Sequence, residues 1–175
     1  MKLIDPNTKY LDGYKQAYIE SLKMINQNKM KGHDIMFDNP DEVDIIQKLY
    51  DHRDPSKLKP GYVPSYDYFL VDKCRFLGRI SIRLWLTDKL LAFSGNIGYG
   101  INPVYWGKGY GNKILQLGLK KCKELGLKDR VLLTCDDDNL ASAKIIEKNG
   151  GVLENVVKNN IDGEEILTRR YWIKL

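Results

Sequence analysis

Residues 96–125 place the tightest limit on how this chain can fold, because a strand pattern there runs through a glycine-rich loop into an amphipathic helix. Residues 96–101 read as a strand weakened by Gly98 and Gly100. The loop is Tyr105-Trp106-Gly107-Lys108-Gly109-Tyr110-Gly111. Over 109–125, Asn112, Lys113, Gln116, Lys120, Lys123 and Glu124 share one helical face, and Ile114, Leu115, Gly118, Leu119, Cys122 and Leu125 share the other. Gly126 is placed to end that helix. A helix start leaves backbone N–H groups unpaired and carries partial positive charge. Glycines let such a backbone curl into a concave anion nest. The loop therefore reads either as an anion-binding nest or as a plain connecting turn. The Gly-x-x-x-x-Gly-Lys-Ser/Thr of nucleotide hydrolases is absent, as is the Gly-x-Gly-x-x-Gly of dinucleotide enzymes.

The remaining pattern surrounds this unit with more of the same kind. Leu3-Ile4 suggests a short strand, and apolar spacing over 9–28 predicts a helix. A second short helix is expected over 41–50, with Asp41-Glu42 in its first turn. Residues 54–64 hold three prolines and a glycine and read as loop. Strands are expected over 66–71 and over 79–86, the latter half-buried, with Ile80, Ile82, Leu84 and Leu86 on one face. A strand over 130–135 precedes a helix over 139–149, with Asn139 as its N-cap and Gly150-Gly151 closing it. Residues 152–157 and 164–173 predict a hairpin turning at 159–163. The expected order is β-α-α-β-β-β-α-β-α-β-β, one α/β (α+β) domain over residues 1–175 without a linker.

Composition excludes several classes. At 175 residues, 43% hydrophobic and 29% charged, the chain has a globular make-up. No apolar run nears the roughly 20 residues of a membrane span, and the opening Met1-Lys2-Leu3-Ile4-Asp5-Pro6 lacks the apolar stretch of a secretory signal. Cys74, Cys122 and Cys135 are too widely spaced for a disulfide framework or zinc site, so a cytoplasmic, reducing setting is expected. His33 and His52 stand alone in sequence, and no metal is expected. The net charge of +5 is spread over many segments and does not argue for a nucleic acid, and without an apolar run no membrane partner is expected either; a nucleic-acid-associated basic protein is the lesser alternative. Trp85, Trp106 and Trp172 are expected to pack in the core and hairpin.

Two motifs in order carry a family resemblance. Residues 97–111 resemble the GNAT superfamily of N-acetyltransferases, whose pattern is Gln/Arg-x-x-Gly-x-Gly/Ala after a strand. Asn139-Leu140-Ala141-Ser142 followed by Ile145-Ile146-Glu147-Lys148-Asn149-Gly150 is similar to that family's Asn-x-x-Ala/Ser helix ending in Glu-Lys-x-Gly. Residues 133–151 are especially similar to a bacterial group of predicted acetyltransferases. The resemblance covers about residues 78–157. It implies a mixed, mostly antiparallel central sheet flanked by helices and splayed in the middle. It also implies acetyl-CoA (coenzyme A) as cofactor, and a small-molecule or peptide amine as acceptor. Assembly as a homodimer stays open.

Residue by residue, the resemblance implies that the N–H groups of Gly107, Lys108, Gly109, Tyr110, Gly111 and Asn112 hold the pyrophosphate. Backbone groups around Tyr99 and Ile101 would pair with the pantetheine arm and polarise the thioester. Asn139 and Ser142 would contact the cofactor, although Asn139 could equally serve only as a cap. Gly98 and Gly100 suit a strand that moves away from its neighbour to admit the arm. Lys113, Lys120, Lys121 and Lys123 form a basic face that could hold the adenosine 3′-phosphate.

The family's acid–base positions are another matter. Where it often has Glu, Glu and Tyr, this chain has Gly95, Thr134 and Ile146, and Trp106 replaces the Gln/Arg before the loop. The remaining candidates are Ser142 as a weak donor, residues 136–138, Tyr66, Tyr68, or a water relay. The acceptor region is expected over 26–65, where Asp34, Asp38, Asp41 and Asp44 would form an acidic rim beside Met24, Met30, Met36, Phe37 and Tyr62.

Overall fold

The computed structural model describes residues 1–161 and 163–175; Asp162, inside the expected hairpin turn, lies outside the described residues. In chain order the elements are β1 (Lys2–Ile4), α1 (Leu11–Asn26), α2 (Ile45–Asp51), β2 (Ser65–Asp72), β3 (Arg75–Arg83), α3 (Asp88–Phe93), β4 (Ile97–Ile101), α4 (Tyr110–Glu124), β5 (Arg130–Asp136), α5 (Leu140–Lys148), β6 (Val152–Ile161) and β7 (Glu164–Lys174). They form a four-stranded sheet, β1-β2-β3-β4, and a three-stranded sheet, β5-β7-β6. All the described ladders are antiparallel.

The sheets touch at one seam. Asn96 N–H donates to the Leu132 carbonyl at 2.7 Å, and Asn96 Oδ1 accepts from the Leu132 amide at 2.9 Å. A bridge joins Gly95 to Leu133. Gly95 has φ 67°, and a Cβ there would stand 2.4 Å from the Leu132 carbonyl oxygen, so only glycine lets the backbones approach so closely. Beyond Asn96, β4 makes its ladder with β3 alone. The central splay expected from the sequence is thus a split between two sheets.

Each face of the four-stranded sheet has its own core. Ile80, Ile82 and Leu70 meet Ile114, Leu115 and Cys122 of α4 on one side. On the other, Tyr14 and Ala17 of α1 and Leu49 of α2 pack on Phe69, Val71 and Phe76. Phe69 and Phe76 meet edge to face at 4.9 Å, an arrangement worth about 0.5–1.5 kcal/mol beyond burial. Because both faces are covered, β3 is buried through nearly its whole length, not half-buried as its alternation predicts. It also starts earlier and ends at Arg83, leaving Leu84 to Leu86 outside the strand. Arg79 and Ser81, the polar positions in that alternation, point into the second interior rather than to solvent.

Other departures from expectation are local. α3 is absent from the sequence reading; it is a six-residue helix capped by Thr87 through the Leu90 amide, too short to show a period. α2 begins after Asp41-Glu42, so its first turn has no acid, and Asp44 caps it by accepting from the Gln47 amide. Trp85 and Trp106 are about half exposed, at 50% and 43%, and are not core residues. The hairpin forms as expected but its first strand is longer: β6 runs past residue 157 to Ile161, so residues 159–161 are strand and not turn, and the Gly163 amide donates to Asn160 Oδ1. In the described residues no helix is long and apolar enough to cross a membrane.

Candidate functional site

The glycine loop leaves β4 through Asn102, which is fully buried and caps the turn by accepting from the Val104 amide. Gly107 and Gly109 follow with φ values of 74° and 79°, the left-handed region that glycine tolerates. A Cβ at either would meet nothing within 4 Å, so glycine is needed there for backbone conformation and not for space. α4 then starts at Tyr110, and its first bond back to the loop is from the Lys113 amide to the Gly109 carbonyl at 3.2 Å. Among the described residues, the N–H groups of Gly107, Lys108, Gly109, Tyr110, Gly111 and Asn112 have no hydrogen-bond acceptor. A run of free amides at a helix N-terminus, with Lys108 beside it, is suited to receive a polyphosphate. Gly111 is the close-packing glycine of the group: a Cβ there would meet Ile145 Cδ1 of α5 at 2.6 Å.

The register of β4 decides where its backbone points. Arg83 N–H donates to the Asn96 carbonyl, and Asn102 N–H donates to the Leu77 carbonyl. With Ser81 opposite Gly98 and Arg79 opposite Gly100, the even-numbered residues bond to β3. Tyr99 and Ile101 therefore turn their N–H and C=O groups outward, into the gap that opens after the seam. One of these groups is already engaged, since Trp106 Nε1 donates to the Ile101 carbonyl at 2.9 Å. That indole stands where the family pattern has Gln or Arg.

Gly98 and Gly100 serve a purpose other than the one expected. Their missing side chains admit Met36, whose Cε would lie 3.4 Å from a Cβ on Gly98 and whose Cβ would lie 2.7 Å from one on Gly100. The glycines make room on the face of the strand, while the parting occurs at its edge.

Asn139 and Ser142 stand at the start of α5. Asn139 Oδ1 accepts from the Ser142 amide at 3.1 Å, which is the capping role. Ser142 Oγ lies 3.3 Å from Tyr99 Oη. Burial pushes the Tyr99 phenol up to about 12, so it remains a hydroxyl at neutral pH. Cys135, at the end of β5, is pushed up to about 12 by burial and is a packed thiol rather than a thiolate nucleophile.

The absent acid–base groups are replaced by nothing at their own positions. Gly95 forms the seam, Thr134 Oγ1 donates to the Phe93 carbonyl at 2.7 Å, and Ile146 is fully buried. Tyr68 is in the core, with Lys121 over its ring, and Arg53 covers the rings of both Tyr66 and Tyr68.

What the sequence did not bring together is the surroundings of Asp136. Lys31 Nζ reaches Asp136 Oδ2 at 2.8 Å, and His33 Nε2 reaches the same oxygen at 2.9 Å. Lys31 also reaches Asp138, and its hydrogen bond to Asp136 holds its ammonium well above the usual range. Burial, then the charge of Asp136, pushes the Asp34 carboxyl up. His33, Asp34 and Asp136 offer ligand atoms within 4.8 Å of one another, but the Lys31 ammonium already supplies a cation to the central oxygen. Nor is His52 isolated: its Nδ1 lies 2.9 Å from Asp67 Oδ2. The partners are more than a hundred residues apart for His33, and no local spacing could signal them.

The expected acidic rim is largely consumed by structure. Asp38 binds Lys48 and Arg79, Asp41 binds Lys15, and Asp44 caps α2. An acidic groove lies elsewhere, about 270 Å³ in volume and lined by Asp137, Asp138, Glu164 and Glu165 together with Lys31.

A split sheet, an outward-turned strand edge and an amide nest at the following helix define the architecture of an acyltransferase. The chain belongs to the GNAT acetyltransferase family: the model described as Acetyltransferase (GNAT) domain matches residues 17–152. Acetyl-CoA is the acetyl donor of that family. Among solved structures, the chain is similar to the microcin C7 self-immunity acetyltransferase MccE, in complex with acetyl-CoA and AMP. The TM-score is 0.71 at 20% identity, over 99% of this chain and 91% of that one. It is also similar to RimL, a ribosomal L7/L12 alpha-N-protein acetyltransferase in complex with coenzyme A, with TM-score 0.71 at 16% identity over 99% and 93%. A GNAT-family acetyltransferase from Bacillus anthracis gives TM-score 0.68 at 20% identity over 98% and 93%. At these identities the likeness is one of fold. No curated protein matches the chain by sequence.

Proposed function

We propose that residues 1–175 act as one N-acetyltransferase domain, moving acetyl from acetyl-CoA to a primary amine by direct attack in a ternary complex. The observation that carries this reading is the run of unpaired amides from Gly107 to Asn112 set beside the outward edge of β4. The nest holds the pyrophosphate, and the Tyr99 and Ile101 groups line the path of the pantetheine arm. The Tyr99 amide is the donor that stabilises charge developing on the thioester oxygen, an interaction stronger in the transition state than before it. Ser142 and Asn139 border the arm from α5.

A primary amine acceptor agrees with RimL, which acts on an α-amino group, and with the acidic groove. The groove favours acceptors with a second positive charge over neutral ones. A cytoplasmic setting suits the free thiols of Cys74, Cys122 and Cys135. The reading is tested by thiol release from acetyl-CoA with simple amines, polyamines, amino acids and short peptides. Release above background hydrolysis is expected, greater with spermidine than with ethylamine. Binding of acetyl-CoA without release to any amine would make the chain an acyl-CoA sensor instead.

A homodimer is part of the proposal. β6 is an edge strand, and its Val152 and Val156 are 70% and 44% exposed, an apolar edge that a second copy would cover. Sedimentation at micromolar concentration should give twice the 20.2 kDa chain mass, and a single-chain mass would remove this part.

A further inference from the structure

The segment from Lys31 to Phe37 crosses from one half of the split sheet to the other. At its far end Met36 lies on Gly98 and Gly100 of β4, and its carbonyl accepts from Arg79 at 2.8 Å. At its near end Lys31 and His33 close on Asp136, the last residue of β5. The three residues from His33 to Met36 span at most about 11 Å. The short segment thus ties the imidazole, held at the end of β5, to the stretch of β4 that carries Tyr99, the two strands that part after the seam. Gly95, Thr134 and Ile146 offer no proton-accepting side chain at the family's usual positions, and this segment brings His33 and Asp34 together beside Asp136.

We propose that His33 takes the proton from the incoming amine and that Asp136 is its positioning residue; this rests on the transferase reading above. Asp136 accepts from Nε2–H, which leaves the lone pair on Nδ1, and Nδ1 has no hydrogen-bond partner among the described residues. Lys31 donates to the same carboxylate oxygen, so the imidazole's part there is that of an N–H donor. The ring is partly open, its side chain 20% exposed, while Asp136 is 8% exposed. An oriented base against a buried carboxylate is the arrangement that general-base transfer requires.

The proton balance is simple. The acceptor arrives as an ammonium ion and gives one proton to His33 Nδ1. The freed electron pair forms the C–N bond to the thioester carbonyl carbon as the C–S bond breaks. The proton shed by the product nitrogen ends on the departing sulfur, and His33 passes its own to water. Ammonium and thioester thus become amide, thiol and one released proton.

His33→Gln tests this, because the glutamine amide can still donate to Asp136. Two probes separate a base from a structural support: ethylamine, which is cationic at neutral pH, and methoxyamine, which is already neutral. We expect kcat/KM for ethylamine to fall about 100-fold or more in the variant, with methoxyamine transfer near that of the wild type. The acetyl-CoA-induced rise in melting temperature should be the same in both proteins. Equal losses on both amines, or no loss on either, would overturn the assignment while leaving the transferase reading intact. A wild-type chain that binds acetyl-CoA but releases thiol neither with these probes nor with any amine of the wider panel would overturn both.

Discussion

Gly109→Val should abolish the stabilisation that acetyl-CoA confers while leaving the chain folded. Gly109 sits at φ 79°, a conformation that costs a side-chain-bearing residue about 1–2 kcal/mol and a β-branched one more. No neighbour lies within 4 Å of its Cβ position, so the substitution creates no clash. The loop is free to relax instead, and valine relaxes it by returning to negative φ. That rotation turns the adjoining N–H groups out of the nest. In the wild type, ligand at about 100 times its dissociation constant stabilises by about 2.7 kcal/mol. For a chain of this length that is a rise of roughly 5–10 °C in melting temperature. The variant should show no rise at the same concentration. A full rise in the variant would mean that the pyrophosphate lies elsewhere.

The second large effect concerns stability. Asp67 is fully buried and accepts from Arg79 Nε at 2.9 Å, with His52 on its other oxygen. Asp67→Ala should lower unfolding free energy by about 3–5 kcal/mol in urea titrations, because it strands the buried Arg79 charge. Asp38 pairs with the same guanidinium at 3.3 Å, but it is 30% exposed and shared with Lys48, so it offsets only part of the loss. Loss of Arg79's anchor also frees the Met36 carbonyl, so the segment over β4 should loosen and its amides exchange faster. A change below about 1 kcal/mol would show that the network is not stabilising.

The same carboxylate sets a pH dependence. Burial alone would raise its pKa, but the charge of Arg79 and the His52 hydrogen bond outweigh burial and hold it below the ordinary carboxylate value. As pH falls, the unfolded chain binds the proton first, near its reference value of about 3.9. The stability due to the ionised form is therefore complete above about pH 4 and is lost as pH drops through the folded value. The acid limb of the stability curve should be shallower in Asp67→Ala than in the wild type.

Much of the cofactor side was legible because its signals are local. The nest depends on glycines a few residues apart and on a helix start, and both are written in consecutive residues. α4 and α5 show a period long enough to read, and Asn139 caps where its position implies. β3 reads as half-buried because alternation reports polarity, not what covers a face. Arg79 and Ser81 look like solvent positions until α1 and the Met36 segment close over them.

The acceptor side shows the same limit more sharply. Asp38, Asp41 and Asp44 read as a rim by composition, yet each is spent on a lysine, an arginine or a helix cap. His33 and His52 read as solitary because their carboxylate partners are distant in the chain. By itself, the sequence determined the family, the glycine loop from Gly107 to Gly111 that opens α4 and the loss of the usual acid–base positions, all properties of short segments. Only the tertiary structure decided that β4 turns Tyr99 and Ile101 into an open gap, and that His33 stands beside Asp136. Those features depend on strand register and on contacts across the two sheets, which arise when distant segments pack and leave no mark in local spacing.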